Sequence, residues 1–139
     1  MKFNKLIPEL SVSDIDRSLA FYTKILGFHV EYERKENKFA FLSLEGSQIM
    51  IEQVNNHWSD AKLEYPFGRG INLQIDVRSI EPILSTLKKH KYPIFIESKK
   101  NWYRKGDTLL GNKEFLVKDP DGYLLRFSED IGEKPVNKN

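Results

Sequence analysis

The sequence predicts an α+β fold of two βαβββ modules, whose curved mixed sheet forms a cup with the helices on its outer side. Three observations carry this expectation. Strand-like and helix-like periodicities run in the order strand, helix, strand, strand, strand, and the whole order then repeats once. Each helix-like stretch has one apolar stripe, which must pack on a single sheet face. Polar turns and glycines separate the strand-like runs at short intervals.

Module one spans about residues 5–54. KLIPELSV (5–12) reads as its first strand. SDIDRSLAFYTKILG (13–27) reads as a helix, with Ser13 or Asp14 as N-cap and Gly27 as its stop. Ile15, Leu19, Tyr22 and Leu26 fall on one helical face. FHVEYER (28–34), KFAFLSLE (38–45) and SQIMIEQV (47–54) follow as strands, joined by KEN and by Gly46.

A linker covers 55–69, and module two covers about 70–130. INLQIDV (71–77) is its first strand and RSIEPILSTLKKHK (78–91) its helix, with Ile80, Ile83, Leu84 and Leu87 inward. Pro82 is tolerated in the first turn, where its missing N–H has no helical partner to lose. YPIFIES (92–98), KEFLVKD (113–119) and GYLLRFSE (122–129) complete the set. KKNWYRKGDTLLGN is expected as an inserted loop and 131–139 as a polar C-terminal tail. At 139 residues the chain is expected to form a single domain, large enough to bury a core without staples.

Composition excludes several classes of function. There is no cysteine, hence no disulfide, no Cys-ligated zinc and no thiol catalysis. The net charge is +2, from 22 basic and 20 acidic residues well mixed along the chain. The basic stretches at 87–93 and 98–107 read as a solvated helix end and a flexible loop, so nucleic acid is not an expected partner. No apolar run reaches membrane-spanning length, and MKFNKLIPEL lacks a signal-type apolar region, so a cytoplasmic protein is expected. No glycine-flanked nucleophilic serine and no glycine-rich phosphate loop occur. The histidines, His29, His57 and His90, have no mutual spacing of metal ligands.

Three blocks, LSVSDIDRSLAFYTKILGF, GRGINLQIDV and EFLVKDPDGYLLRF, resemble in order the signatures of the vicinal oxygen chelate superfamily (glyoxalase, bleomycin resistance protein, extradiol dioxygenase). The resemblance covers about residues 5–130 and is nearest to the bleomycin resistance group. It implies the cup and, in metalloenzyme members, a divalent metal held by the first and last strand of each module. Those positions correspond here to Ile7, Glu52, Gly70 and Arg126, so three of the four lack a ligand atom and one of those three is a cation, too few donors for a divalent metal. The resemblance therefore implies a metal-free, cofactor-free binding protein that sequesters a small molecule, in the manner of antibiotic resistance by bleomycin binding. It also implies a homodimer.

Expected ligand-binding residues are Trp102, Tyr103, Glu52, Arg126, Phe41 and Trp58, and no residue is assigned a catalytic role. Glu52 and Arg126 occupy equivalent places in the two modules. Either they face each other or share a ligand, or the arginine merely neutralises Glu52 or a nearby surface acid at a sheet edge. Trp102 is the first candidate for clasping a flat ring, although a loop aromatic also caps cores and interfaces. Phe41 lies on a strand of which only one face can see a cleft. Two other readings stay open: an enzyme of the same superfamily using Glu52, and an interaction module whose aromatic loop binds a protein.

Overall fold

The computed structural model describes residues 1–55 and 61–137. The chain falls into two compact units, Met1–Gly70 with Asp119–Tyr123, and Ile71–Lys118 with Leu124–Asn139. Each carries one four-stranded mixed sheet, so the α+β class and the two βαβββ modules are as the sequence predicts.

Unit one contains β1 (Glu9–Val12), α1 (Ile15–Ala20), a π-helical turn (Phe21–Ile25), β2 (His29–Arg34), a 3-10 turn (Lys35–Asn37), β3 (Phe39–Leu44) and β4 (Ser47–Gln53). The strand order is β1-β4-β3-β2, with β1 parallel to β4 and the other pairs antiparallel. Alternation assigns the faces. Leu10, Val12, Ala40, Leu42, Ile49 and Ile51 are buried on the side where the Gln53 side chain accepts the Ile15 N–H of α1. Phe39, Phe41, Gln48 and Glu52 alternate onto the other side, the open face.

Of the two N-cap candidates, the structure selects Asp14. Its backbone is extended (φ −146°), and its Oδ1 accepts the N–H groups of Asp16 at 3.0 Å and Arg17 at 3.1 Å. Asp14→Ala is expected to cost about 1 kcal/mol of stability, readable in urea unfolding. The single helix expected over 13–27 is corrected. After Ala20 the turn widens, and the Leu26 N–H reaches back five residues to the Phe21 carbonyl at 3.1 Å. The widened turn keeps Phe21 and Tyr22 both buried, their rings edge to face at 5.3 Å. Gly27, at φ 89°, then ends the segment in a conformation that suits glycine.

Unit two contains β5 (Asn72–Asp76), α2 (Glu81–Lys89), β6 (Ile96–Lys105), β7 (Thr108–Lys118) and β8 (Leu124–Pro135), in the order β5-β8-β7-β6. Ile83, Leu84 and Leu87 of α2 are buried, as are Ile75, Val77, Phe115, Val117, Leu125 and Phe127. The Phe115 and Phe127 rings stack at 5.4 Å.

The expected inserted loop is instead a hairpin. β6 and β7 run through it in continuous register, from Lys99↔Glu114 to Lys105↔Thr108, about a turn at Gly106 and Asp107. Gly106 has φ 61° at the first turn position, as a primed hairpin turn asks. The tail joins as a third strand, since β8 pairs with β7 out to Pro135. The lysines masked a strand signal that Trp102, Tyr103, Thr108, Leu109 and Leu110 carry.

The Asp119–Tyr123 turn lies between β7 and β8 in sequence but belongs to unit one. Asp119 Oδ1 accepts the N–H groups of Asp121 and Tyr123, each at 2.9 Å, and its Oδ2 accepts the Tyr22 hydroxyl at 2.8 Å. Asp121 accepts the Ser13 N–H at 3.0 Å, the Ser13 hydroxyl at 2.5 Å and Arg17 Nη2 at 3.2 Å. The Tyr123 hydroxyl donates to the Ser11 carbonyl at 2.9 Å. Burial pushes the Asp119 carboxyl up to about 6 and the Tyr123 phenol up to about 12.

Candidate functional site

On the open face of the unit-two sheet, a polar chain runs across the strands. Gln74 of β5 stands opposite Arg126 of β8, and its Oε1 accepts Arg126 Nη2 at 2.7 Å. The amide of Gln74 is itself fixed, its Nε2 donating to Asp76 Oδ1 at 3.0 Å. The guanidinium therefore sits on a braced partner. Its Nε is buried without a hydrogen-bond partner, as is the Ser128 hydroxyl two residues on. Among the described residues no carboxylate forms an ion pair with Arg126.

Next along the face is Tyr103, which interacts with Arg126 and donates its hydroxyl to Glu114 Oε1. Glu114 is 4% exposed and also accepts Asn101 Nδ2 at 2.9 Å. The hydrogen bond to Glu114 raises the Tyr103 phenol, with burial adding to it, while Arg126 pulls the other way. A cation and a buried carboxylate are thus held apart by one tyrosine hydroxyl. Such an arrangement offers a ligand both a charged donor and a polar, part-desolvated floor.

Trp102 does not join them. Adjacent strand residues point to opposite faces, and Trp102 lies over Gly111 so closely that a Cβ there would come within 2.6 Å of its ring. The same hypothetical Cβ would come 2.8 Å from Ile131, and Lys134 Nζ stands 3.9 Å over the indole. Trp102 staples the three-stranded extension together. Trp102→Ala is expected to lower stability by about 1–3 kcal/mol, since the ring is 37% exposed and only part of its area is lost from the fold. Thermal unfolding measures it.

On the open face of unit one, Glu52 accepts Asn55 Nδ2 and is hydrogen-bonded to Glu9. Burial, and then the neighbouring Glu52, raise the Glu9 carboxyl, against a smaller opposing effect of Arg34. Phe41 is 1% exposed, stacked on Tyr32 at 5.2 Å with 14° between planes, and paired edge to face with Phe3 at 5.4 Å. Arg34 lies 4.0 Å over the Phe39 ring. Glu52 and Arg126 belong to different units, and each has its hydrogen bonds within its own. Trp58 and His57 lie outside the described residues.

Sequence reasoning missed Glu9 and Gln74, and offered Glu114 only as part of an acidic groove with Glu52, Glu64 and Asp60, the last outside the described residues. The signal was present as period-two alternation: Leu10 and Val12 turned inward leave Glu9 on the face of Glu52. In the same way Phe115 and Val117 leave Glu114 on the face of Arg126.

A family model described as Glyoxalase/Bleomycin resistance protein/Dioxygenase superfamily matches residues 4–127. The chain belongs to this superfamily. It is 28% identical over 130 residues to a lactoylglutathione lyase of Haemophilus influenzae, covering 90% of this chain and 91% of that protein. It is 36% identical to a solved superfamily member from Vibrio splendidus 12B01, covering 90% and 97% of the two chains, with a TM-score of 0.43. TioX from Micromonospora sp. ML1 shares the fold at a TM-score of 0.70 and 15% identity, over 93% of this chain and 100% of that one. The metal positions of the superfamily do not suit a divalent ion in this chain. Ile7 and Gly70 offer no side-chain donor, the Glu52 carboxylate is engaged by Asn55 and Glu9, and Arg126 is a cation. Among the described residues, no helix is long and apolar enough to cross a membrane.

Proposed function

We propose that this protein is a metal-free small-molecule-binding protein that sequesters a planar or glycopeptide ligand, as the bleomycin resistance group does. One observation carries the reading. Where metal-binding relatives hold a ligand, this chain holds Arg126, braced through Gln74 and Asp76 and with a buried Nε left unpartnered. A buried donor without a partner costs about 1–3 kcal/mol, which favours a site whose ligand completes the hydrogen bonds. Tyr103 and Arg126 supply the polar contacts in this reading. Phe41 and Glu52 are further ligand residues on the open face of unit one, and the working form is a homodimer.

The test is a thermal-shift screen with bleomycin and with planar aromatic metabolites. A ligand at a hundred times its Kd stabilises the fold by about 2.7 kcal/mol. Arg126→Gln should weaken any hit at least tenfold, the order expected for a lost charged hydrogen bond. No shift with bleomycin removes that ligand, and no shift across the planar set removes the binding reading. Light scattering of the eluting protein checks the dimer.

The 28% identity to a lactoylglutathione lyase favours a second reading, an enzyme using Glu52. That residue has a carboxyl neighbour, Glu9, whose own carboxyl is raised by burial and then by Glu52. A lactoylglutathione lyase assay together with metal analysis separates the two. Turnover that is lost in Glu52→Gln would replace the binding reading.

A further inference from the structure

The segment before β1 is pinned across the open face of the unit-one sheet. Gln48 of β4 holds it from both ends of one amide: its Oε1 accepts the Asn4 N–H at 2.7 Å, and its Nε2 donates to the Lys2 carbonyl at 2.7 Å. Asn4 Nδ2 adds a bond to the Gly46 carbonyl at 2.9 Å. Between these clamps the Phe3 and Phe41 rings form an edge-to-face pair, with centroids 5.4 Å apart and planes at 89°.

The surface beneath is built for a ring. Phe41 is stacked on Tyr32, Tyr32 also lies 6.0 Å from Phe39, and Arg34 caps Phe39. The cover and the floor differ in commitment. Phe41 is 1% exposed, whereas Phe3 is 53% exposed and Lys2 and Asn4 are exposed. A ring with half its surface in water contributes little burial, and backbone groups tied to one side-chain amide transfer readily to water. The open face of this sheet also carries Glu52, one of the residues assigned to ligand binding above.

We propose that residues 1–5 are a displaceable strap over a flat-ring site floored by Phe41 and Tyr32, in which Phe3 holds the place of a ligand's aromatic ring. The proposal rests on the part of the binding reading that assigns Phe41 and Glu52 of unit one to a ligand, and adds how a ligand there is restrained. The ligand class is an aromatic ring that offers Phe41 and Tyr32 a face or edge larger than that of phenylalanine. Because strap and ligand compete, every ligand of this site is bound more weakly by the native chain than by a chain whose strap cannot dock. Gln48 is a positioning residue for the strap.

The experiment titrates native protein, Phe3→Ala and Phe3→Ala/Tyr32→Ala with 8-anilinonaphthalene-1-sulfonate, following its fluorescence. Hydrogen exchange at the Asn4 amide reports whether the strap is docked, and circular dichroism confirms that each variant is folded. The expected result is at least fivefold tighter binding by Phe3→Ala, loss of that gain in the double variant, and loss of Asn4 protection when native protein binds the probe. Equal affinity of native and Phe3→Ala, with Asn4 still protected, overturns the strap and leaves the binding reading standing. A gain that survives Tyr32→Ala places the probe elsewhere and also overturns it. Binding by none of the three, together with a blank ligand screen, overturns both.

Discussion

Asp119→Ala is expected to destabilise the protein by about 3–5 kcal/mol, the sum of three buried or part-buried donors losing their acceptor at once. The donors are the Tyr22 hydroxyl and the N–H groups of Asp121 and Tyr123. Asp119→Asn should be much milder. The remaining oxygen can keep the two N–H groups, and the new amide can donate to the Tyr22 oxygen.

The two substitutions also separate the charge from the hydrogen bonds. Asp119 is buried, and burial lifts its carboxyl from the ordinary 3.8 to about 6. The folded chain thus binds this proton more tightly than the unfolded chain. Between about pH 4 and 6 the folded state carries the larger share of protons, so stability falls as pH rises through that window and is level above it. The difference amounts to about 3 kcal/mol at neutral pH. Urea unfolding at pH 5 and pH 7.5 should show the native chain more stable at the lower value. Asp119→Asn should remove most of that dependence, Glu9 supplying the remainder in the same direction. A dependence unchanged in Asp119→Asn would assign the effect to other groups.

Gly122→Ala is the second large effect, about 2–5 kcal/mol. Gly122 has φ 93°, a conformation that costs an ordinary residue about 1–2 kcal/mol. A Cβ there would also meet the Cα of Pro66 at 2.6 Å and Tyr65 at 2.9 Å. Backbone has to move, not the end of a flexible side chain, and overpacking of that kind costs about 1–3 kcal/mol more. Gly46→Ala is the control, since Gly46 has a similar φ of 90° with nothing within 4 Å of the added carbon. The difference between the two melting temperatures isolates the packing against Pro66. Equal losses would show that conformation alone is responsible.

Much of the fold was legible because it depends on local periodicity. The strands 28–34, 38–45 and 47–54 and the α2 helix appear within a few residues of their expected bounds, since apolar alternation and one apolar stripe require only neighbours in sequence. The hairpin about Gly106 was not read, because lysine and arginine on an exposed strand look like a loop until the partner strand is known. Nor was the π-helical turn, which leaves no change in the apolar pattern of FYTKI.

The site divides in the same way. The identities at Ile7, Glu52, Gly70 and Arg126 are sequence facts, and with the superfamily resemblance they were enough to argue against a metal. What those side chains do was decided by tertiary structure. Gln74 orients Arg126 because a parallel ladder sets residues 52 positions apart side by side. Trp102, the first candidate for the ligand, is set by the strand pleat on the other sheet face from Tyr103, over Gly111. The DPDG turn shows the same division. Its composition fixes a tight turn, but only the folded chain sets Asp119 beneath Tyr22 and Asp121 beside Ser13, at separations of 97 and 108 residues. Local propensity reads a few residues at a time, whereas burial and hydrogen-bond partners are settled by whatever the chain brings back from far away.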